Sequence, residues 1–288
     1  MKPLFKRVVI AGVGLIGGSL ALAGRKAGLF GSVVGLSRKP ETIQKAVQLG
    51  IADEGYVSIE EAARGADLFF AATPVESISS LCIEAARVVN DGCVITDGGS
   101  VKGKIVKELD SSLPARVRFV GGHPVAGTEK SGPEAAFADL YKGKYTILTP
   151  TEKTDKEALG LVRMMWKEVG SEVVSMDPEK HDEALAVISH LPHFAAYALV
   201  GTLIETDTDG AMRRFIAGGF KDTTRIAASD PRMWRDIFSM NKEKTLESIR
   251  AFESNISRLR RLMEQGDFDG LEEALREIRA ARIEMENG

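Results

Sequence analysis

Seven short runs rich in β-branched and aromatic residues lie between positions 7 and 176, most of them separated by helical patterns, and after Met176 none returns. "RVVIAGVG", "SVVGLS", "ADLFFAAT", "CVITDG", "VRFVGG", "KYTILT" and "SEVVSM" read as strands. The first is continuous in apolar character and ended by glycines, the mark of a strand buried on both faces. "LIGGSLALAGRKAG" reads as a helix ending at Gly28. "PETIQKAVQLG" reads as another, with Pro40 at its start and Gly50 past its end. Proline is preorganised for a first helical turn and glycine for the exit. "PVESISSLCIEAARVV", "VKGKIVKELDSSL" and "DKEALGLVRMMWKEVG" are further helices. Alternation of this kind predicts an α/β domain with a mainly parallel sheet and helices on both faces.

From Asp177 onward the pattern is helical. Asp177 is an N-cap candidate with Pro178 at the first helical position, and Pro192 is expected to kink the helix that follows. Phe252, Ile256, Leu259 and Met263 form one apolar stripe. Leu271, Leu275 and Ile278 form another, with "QGDFDG" as the turn between. These features divide the chain into residues 1–176 and 177–288. The second part is an all-helical domain whose long, exposed-looking helices point to a homodimer.

In a parallel sheet of this class, ligands bind beyond the carboxyl ends of the strands. Gly12-Val13-Gly14-Leu15-Ile16-Gly17 matches G-x-G-x-x-G, follows a strand and opens a helix. That context makes the first domain a Rossmann-type dinucleotide-binding domain. Gly12 permits the turn, Gly14 lets a pyrophosphate approach the backbone, and Gly17 allows close helix–strand packing. Leu15 and Ile16 complete the turn, and the helix N-terminus offers N–H groups to the anion. Thr73-Pro74, at another strand end, belongs to the same edge. A dinucleotide site that prefers NAD carries an acid about 20 residues further on. Here that position is Ser37, followed by Arg38 and Lys39. Hydroxyl and guanidinium suit a 2′-phosphate, so NADP is favoured over NAD. A solvated turn with NAD bound without the acid is the alternative.

With 41 acidic residues against 38 basic and a net charge of −3, the chain offers no basic footprint for nucleic acid or an anionic membrane. Cys82 and Cys93 fit no metal or redox motif and read as buried thiols of a reducing compartment. The N-terminus lacks a signal-peptide pattern, and the apolar run "FAAYALVGTLI" is short for a bilayer span. A soluble cytoplasmic protein is expected.

Only four histidines occur. His123, in "GGHPVAGTEKSG", is read beyond a strand end on the cofactor's edge, either as a base working near neutral pH or as a loop-fixing group. Ser100, after Gly98-Gly99, is placed to cap the next helix. His190 and His193 in "SHLPH" share a helix face at the kink. No Cys/His cluster completes a metal site around them, and no metal is expected. "GGFKDTTRIAASDPRMW" is odd for a helical domain. Its Arg225, with Lys221 nearby, suits an anion gripped bidentately, and a capped helix corner is the alternative.

Taken in order, "GVGLIGGSLA", "TDGGSVKG", "GGHPVAGTEKSG", "SHLPH" and "GGFKDTTRIAASDPRMW" resemble the prephenate/arogenate dehydrogenase family of tyrosine biosynthesis. The resemblance implies oxidative decarboxylation of a small cyclohexadienol with hydride transfer to NAD(P). It implies that His123 accepts the ring hydroxyl's proton, that Ser100 orients it, and that Arg225 binds a substrate carboxylate. It further implies that His190, His193, Thr128 and Glu129 line the cleft, and that the helical domain dimerises. No tyrosine-sensing segment is read after it. Two rivals stand beside this reading. One is a β-hydroxyacid dehydrogenase, with Lys221 as its catalytic group; the other is a non-catalytic NADP-sensing protein.

Overall fold

The computed structural model describes residues 2–128 and 130–287. An eight-stranded sheet forms its centre: β1 Phe5–Ala11, β2 Phe30–Leu36, β3 Glu54–Tyr56, β4 Leu68–Ala71, β5 Val94–Asp97, β6 Arg118–Pro124, β7 Tyr145–Thr149 and β8 Glu172–Ser175. Their order is β3-β2-β1-β4-β5-β6-β7-β8. Neighbours pair in parallel except β6 with β7, which are antiparallel. The first six strands thus follow the doubly wound dinucleotide-binding order, whose direction of winding reverses between β1 and β4.

Strand residues alternate between two apolar cores. Val8, Ile10, Leu68 and Phe70 enter one, and Val9, Ala11, Phe69 and Ala71 the other. Burial on both faces explains why these strands are apolar throughout. The covering helices are α1 Leu15–Lys26, α2 Pro40–Gln48, α3 Ile59–Ala63, α4 Val75–Ala85, α5 Gly103–Ser112 and α6 Lys156–Glu168. Gly28 and Gly50 take positive φ just past α1 and α2, where a side chain would be strained. The strand β3 and the five-residue α3 are additions to the sequence reading, too short to show a period.

Helix α7, Pro178–Leu185, starts as expected. Asp177 accepts from the Glu179 and Lys180 amides, with Pro178 at the first position. It runs through a π turn, Ala186–His190, into α8, Leu191–Thr206. Proline has no N–H for the helical ladder, and the wider turn directly precedes Pro192. The continuous run Pro178–Thr206 is 29 residues, long and apolar enough to cross a membrane by length and composition. That corrects the sequence reading, which measured only the 11 residues of "FAAYALVGTLI". Buried polar residues at its start, His181, Asp182 and His190, commit that end to the site described below. Short helices α9, Gly218–Thr224, and α10, Pro231–Met240, follow.

By packing, the chain divides into Met1–Lys242 and Glu243–Gly288. The latter carries most of α11, Lys242–Glu264, and all of α12, Phe268–Asn287. Gly266 takes positive φ in the turn between them.

Candidate active site

Each glycine of the fingerprint has a distinct geometry. A Cβ at Gly12 would sit 2.5 Å from the Ala72 carbonyl oxygen, at the end of β4, and Gly12 itself has φ +95°. At Gly17 a Cβ would strike the Gly12 carbonyl oxygen and come within 2.7 Å of Ile10 Cγ2. Helix α1 therefore touches β1 at Gly17. Around Gly14 nothing lies within 4 Å of such an atom. Gly14 is also the N-cap of α1, with no side-chain cap and no acid in the first turn. A helix start with no side-chain cap and no acid is the arrangement that takes an anionic group. This chain's fingerprint thus fits a dinucleotide pyrophosphate.

The fingerprint reaches the next strands directly. Ile16 Cγ2 packs against Gly98, which follows β5. Asp97, the last residue of β5, is fully buried and accepts from the Gly122 amide at 3.1 Å and the Gly99 amide at 2.9 Å. Its second oxygen pairs with the Lys102 ammonium, also fully buried. This clamp joins the ends of β5 and β6 one residue before His123.

His123 lies within β6, opposite Ile147 of β7, and not on the loop expected from the sequence. Its parallel partner β5 pairs only as far as Val120, so residues 121–124 project past β5 at the sheet's carboxyl edge. The strand continues because antiparallel β7 supplies hydrogen bonds that the sequence does not announce. His123 is 8% exposed. Burial, followed by the charges of His181, Lys102 and His190, holds its pKa well below the ordinary value. The imidazole is accordingly neutral at neutral pH and able to accept a proton.

Two residues of α7 that the sequence reading missed complete the cluster. His181 Nε2 lies 2.8 Å from His123 Nδ1, and its Nδ1 lies 2.8 Å from Asp182 Oδ1. Asp182 also accepts the amides of Lys102 at 2.7 Å and Gly103 at 2.8 Å, capping α5 from another helix. Ser100 therefore does not cap α5 as expected. The helix begins two residues after Val101, with Lys102 at the N-cap. Asn241 donates to the Asp182 carbonyl at 2.8 Å and to His190 Nδ1 at 3.2 Å.

His190 and His193 both meet Trp234 of α10. His193 stacks on the indole at 3.7 Å between centroids, and His190 meets it edge-on at 6.0 Å. Burial lowers the pKa of His190 to about 4. That of His193 is lowered mainly by burial, with Arg225 contributing positive charge. Arg225 is thus electrostatically linked to His193 although its side chain is exposed. Lys221 and Thr128 are exposed as well, and Thr128 Oγ1 accepts from the Lys130 amide. Glu129 lies outside the described residues. Thr73 Oγ1 accepts from Ser77 at the start of α4, beside Gly12. Ser37, at the end of β2, receives the Lys39 amide on its hydroxyl, and Arg38 is exposed beside it. Among the described residues no group of three metal-ligating side chains occurs.

Comparison with known proteins decides which chemistry this arrangement serves. Residues 20–175 match the prephenate dehydrogenase nucleotide-binding domain, and residues 177–277 match the prephenate dehydrogenase dimerization domain. The chain belongs to the prephenate dehydrogenase family. A prephenate dehydrogenase of Bacillus subtilis is 39% identical over 94% of this chain and 74% of its own length. A cyclohexadienyl dehydrogenase of Zymomonas mobilis is 36% identical over 98% of this chain and 97% of its own. A crystal structure of A. aeolicus prephenate dehydrogenase, in complex with hydroxyphenyl propionate and NAD+, superposes with a TM-score of 0.91 at 45% identity. It covers 97% of this chain and 98% of that one. The family match spans both the Rossmann-type domain and the helices after it.

Proposed function

We propose that this chain oxidatively decarboxylates prephenate, with His123 as the base. The observation that carries the reading is a buried, neutral imidazole at the carboxyl edge of the sheet, clamped through Asp97 to the strand that touches the fingerprint. When bound, the nicotinamide supplies the hydride acceptor. His123 takes the ring hydroxyl's proton as the hydride leaves the carbon that bears it. The ring carboxylate departs as carbon dioxide, its bonding electrons complete the aromatic ring, and the proton returns to the phenol oxygen. Ser100 and His123 act together on the hydroxyl. Arg225 holds a substrate carboxylate, with Lys221, Thr128 and Glu129 at the mouth and His190 and His193 along the wall. Arogenate, with an amine in place of the side-chain ketone, fits the same chemistry.

NADP is the favoured cofactor, supported by the Ser37-Arg38-Lys39 turn and the lack of a carboxylate at those positions. Residues 177–288 serve substrate binding and homodimerisation, in keeping with the dimerization domain matched there. We place the protein in the cytoplasm, in keeping with the dehydrogenase family it belongs to. The rival hydroxyacid reading needs Lys221 inside a cleft, whereas its side chain is exposed.

Turnover of prephenate and arogenate, each with NAD and NADP, tests the assignment together with His123→Asn. Prephenate turnover falling by about 10²–10⁴-fold in the variant, with cofactor binding retained, is expected. Unchanged turnover would defeat the role of His123.

A further inference from the structure

The hydrogen bonds behind His123 run in one direction. An ionised carboxylate only accepts, and Asp182 already receives two backbone amides, so His181 Nδ1 is the donor to Oδ1. Burial, against the pull of Asp182, leaves the His181 imidazole neutral at neutral pH. Its Nε2 then bears a lone pair. His123 Nδ1, 2.8 Å away, has to donate to it. That leaves the lone pair of neutral His123 on Nε2, the nitrogen turned from His181.

Resting on the prephenate reading above, we propose that His181 and Asp182 are positioning residues for the reaction. This carboxylate–imidazole pair on α7 selects the Nδ1–H tautomer of His123 and presents its Nε2 to the substrate hydroxyl. The orienting group matters because a base held in the wrong tautomer offers an N–H where a lone pair is needed. During turnover the hydroxyl proton moves to Nε2. The imidazolium keeps its Nδ1–H on His181, which keeps its own on Asp182, and no second proton moves. Among the described residues, Asp97 and Lys102 from the β5–α5 turn and His190 from the π turn act on the two imidazoles, and the Glu179 carboxylate of α7 lies beside Asp182 at Gly103. Asp97 and Lys102 neutralise each other as an ion pair. Because α7 follows β8 in the chain while His123 lies on β6, the base is completed only when the helical segment docks on the sheet.

The test is nitrogen-15 NMR of the histidine rings in the full chain without substrate, with His123 assigned from the signals lost in His123→Asn. The expected result is His123 as the Nδ1–H tautomer in the wild type, shifting toward Nε2–H in His181→Leu. In kinetics, His181→Leu is expected to lose about 10²-fold in kcat with KM changed less than about threefold. His181→Gln, whose amide oxygen can accept the same N–H, should recover about tenfold or more of that loss. An Nε2–H tautomer in the wild type overturns the proposal whether or not the variants fold. So does a His181→Leu enzyme with wild-type kcat, or an equal loss in the Leu and Gln variants. The tautomer is read without substrate, so a protein with the expected tautomer that ignores prephenate sinks only the substrate assignment.

Discussion

Gly14 and Gly17 stand three residues apart in one turn, and their surroundings ask for glycine for opposite reasons. Gly17 is packed so closely that a methyl would displace the Gly12 carbonyl or Ile10, whereas Gly14 opens onto space. Gly17→Ala should therefore lower the urea midpoint by the equivalent of about 1–3 kcal/mol. Gly14→Ala, at φ −85° where alanine is unstrained, should leave the midpoint nearly unchanged. It should instead weaken nicotinamide cofactor binding by tenfold or more, about 1.4 kcal/mol, in a fluorescence titration. Equal effects of the two variants on stability would contradict the distinction. At the end of β2, Ser37→Asp introduces the carboxylate that repels a 2′-phosphate, and the ratio of kcat/KM for NADP over NAD should fall. A wild type that already prefers NAD strongly would show that Ser37-Arg38 does not read the phosphate. The fingerprint was legible because its roles are local: three glycines, a preceding strand and a following helix are contiguous in the chain.

At the scale of elements, the site depends on ends rather than on interiors. The β5–α5 turn carries a fully buried ion pair between Asp97 and Lys102, and the start of α5 is capped by Asp182 from α7. Removing one partner of a buried pair leaves the other charge without compensation, which costs about 3–5 kcal/mol. Lys102→Met should accordingly shift the thermal midpoint strongly downward, and a shift no larger than that of a surface Lys→Met control would refute this account. The π turn before Pro192 brings His190 and His193 against Trp234, the first edge-on and the second stacked. Sequence spacing placed both histidines near a kink, yet it gave no partner for either. His181 and Asp182 escaped notice because an isolated His-Asp pair near the start of a helix reads as ordinary surface. The available signal was arithmetic: of four histidines, one had been assigned no role.

For the whole molecule, the four histidines make a shared contribution to acid sensitivity. His123, His181, His190 and His193 all have folded pKa values below 6.5, with burial the leading cause in each. A depressed histidine pKa means that the unfolded chain binds more protons. The stability is fully present above about pH 6.5 and is lost as pH falls toward the folded values. For His190, from 6.5 to about 4, the contribution is on the order of 3 kcal/mol. The urea midpoint should fall between pH 7.5 and pH 5, and a flat profile would argue against neutral buried rings. The homodimer proposed above would draw on the exposed apolar side chains Ile188, Phe194 and Ile204 of the π turn and α8. Ile188→Glu with Ile204→Glu should convert a dimer to monomers in sedimentation velocity. An unchanged sedimentation coefficient would place the interface elsewhere.

From the sequence alone came the parallel sheet, the fingerprint at its edge, the helical second half and the resemblance that led to the family. Those features are written in local periodicity and in the backbone demands of glycine and proline, which act over a few residues. Tertiary structure decided that His123 sits inside a strand, that Asp97 ties it to β5, and that His181 and Asp182 stand behind it. Their relation depends on positions 58 residues apart along the chain, brought to 2.8 Å by the docking of α7. No period in the sequence encodes such a distance, because it is fixed by how separate elements bury their surfaces against one another.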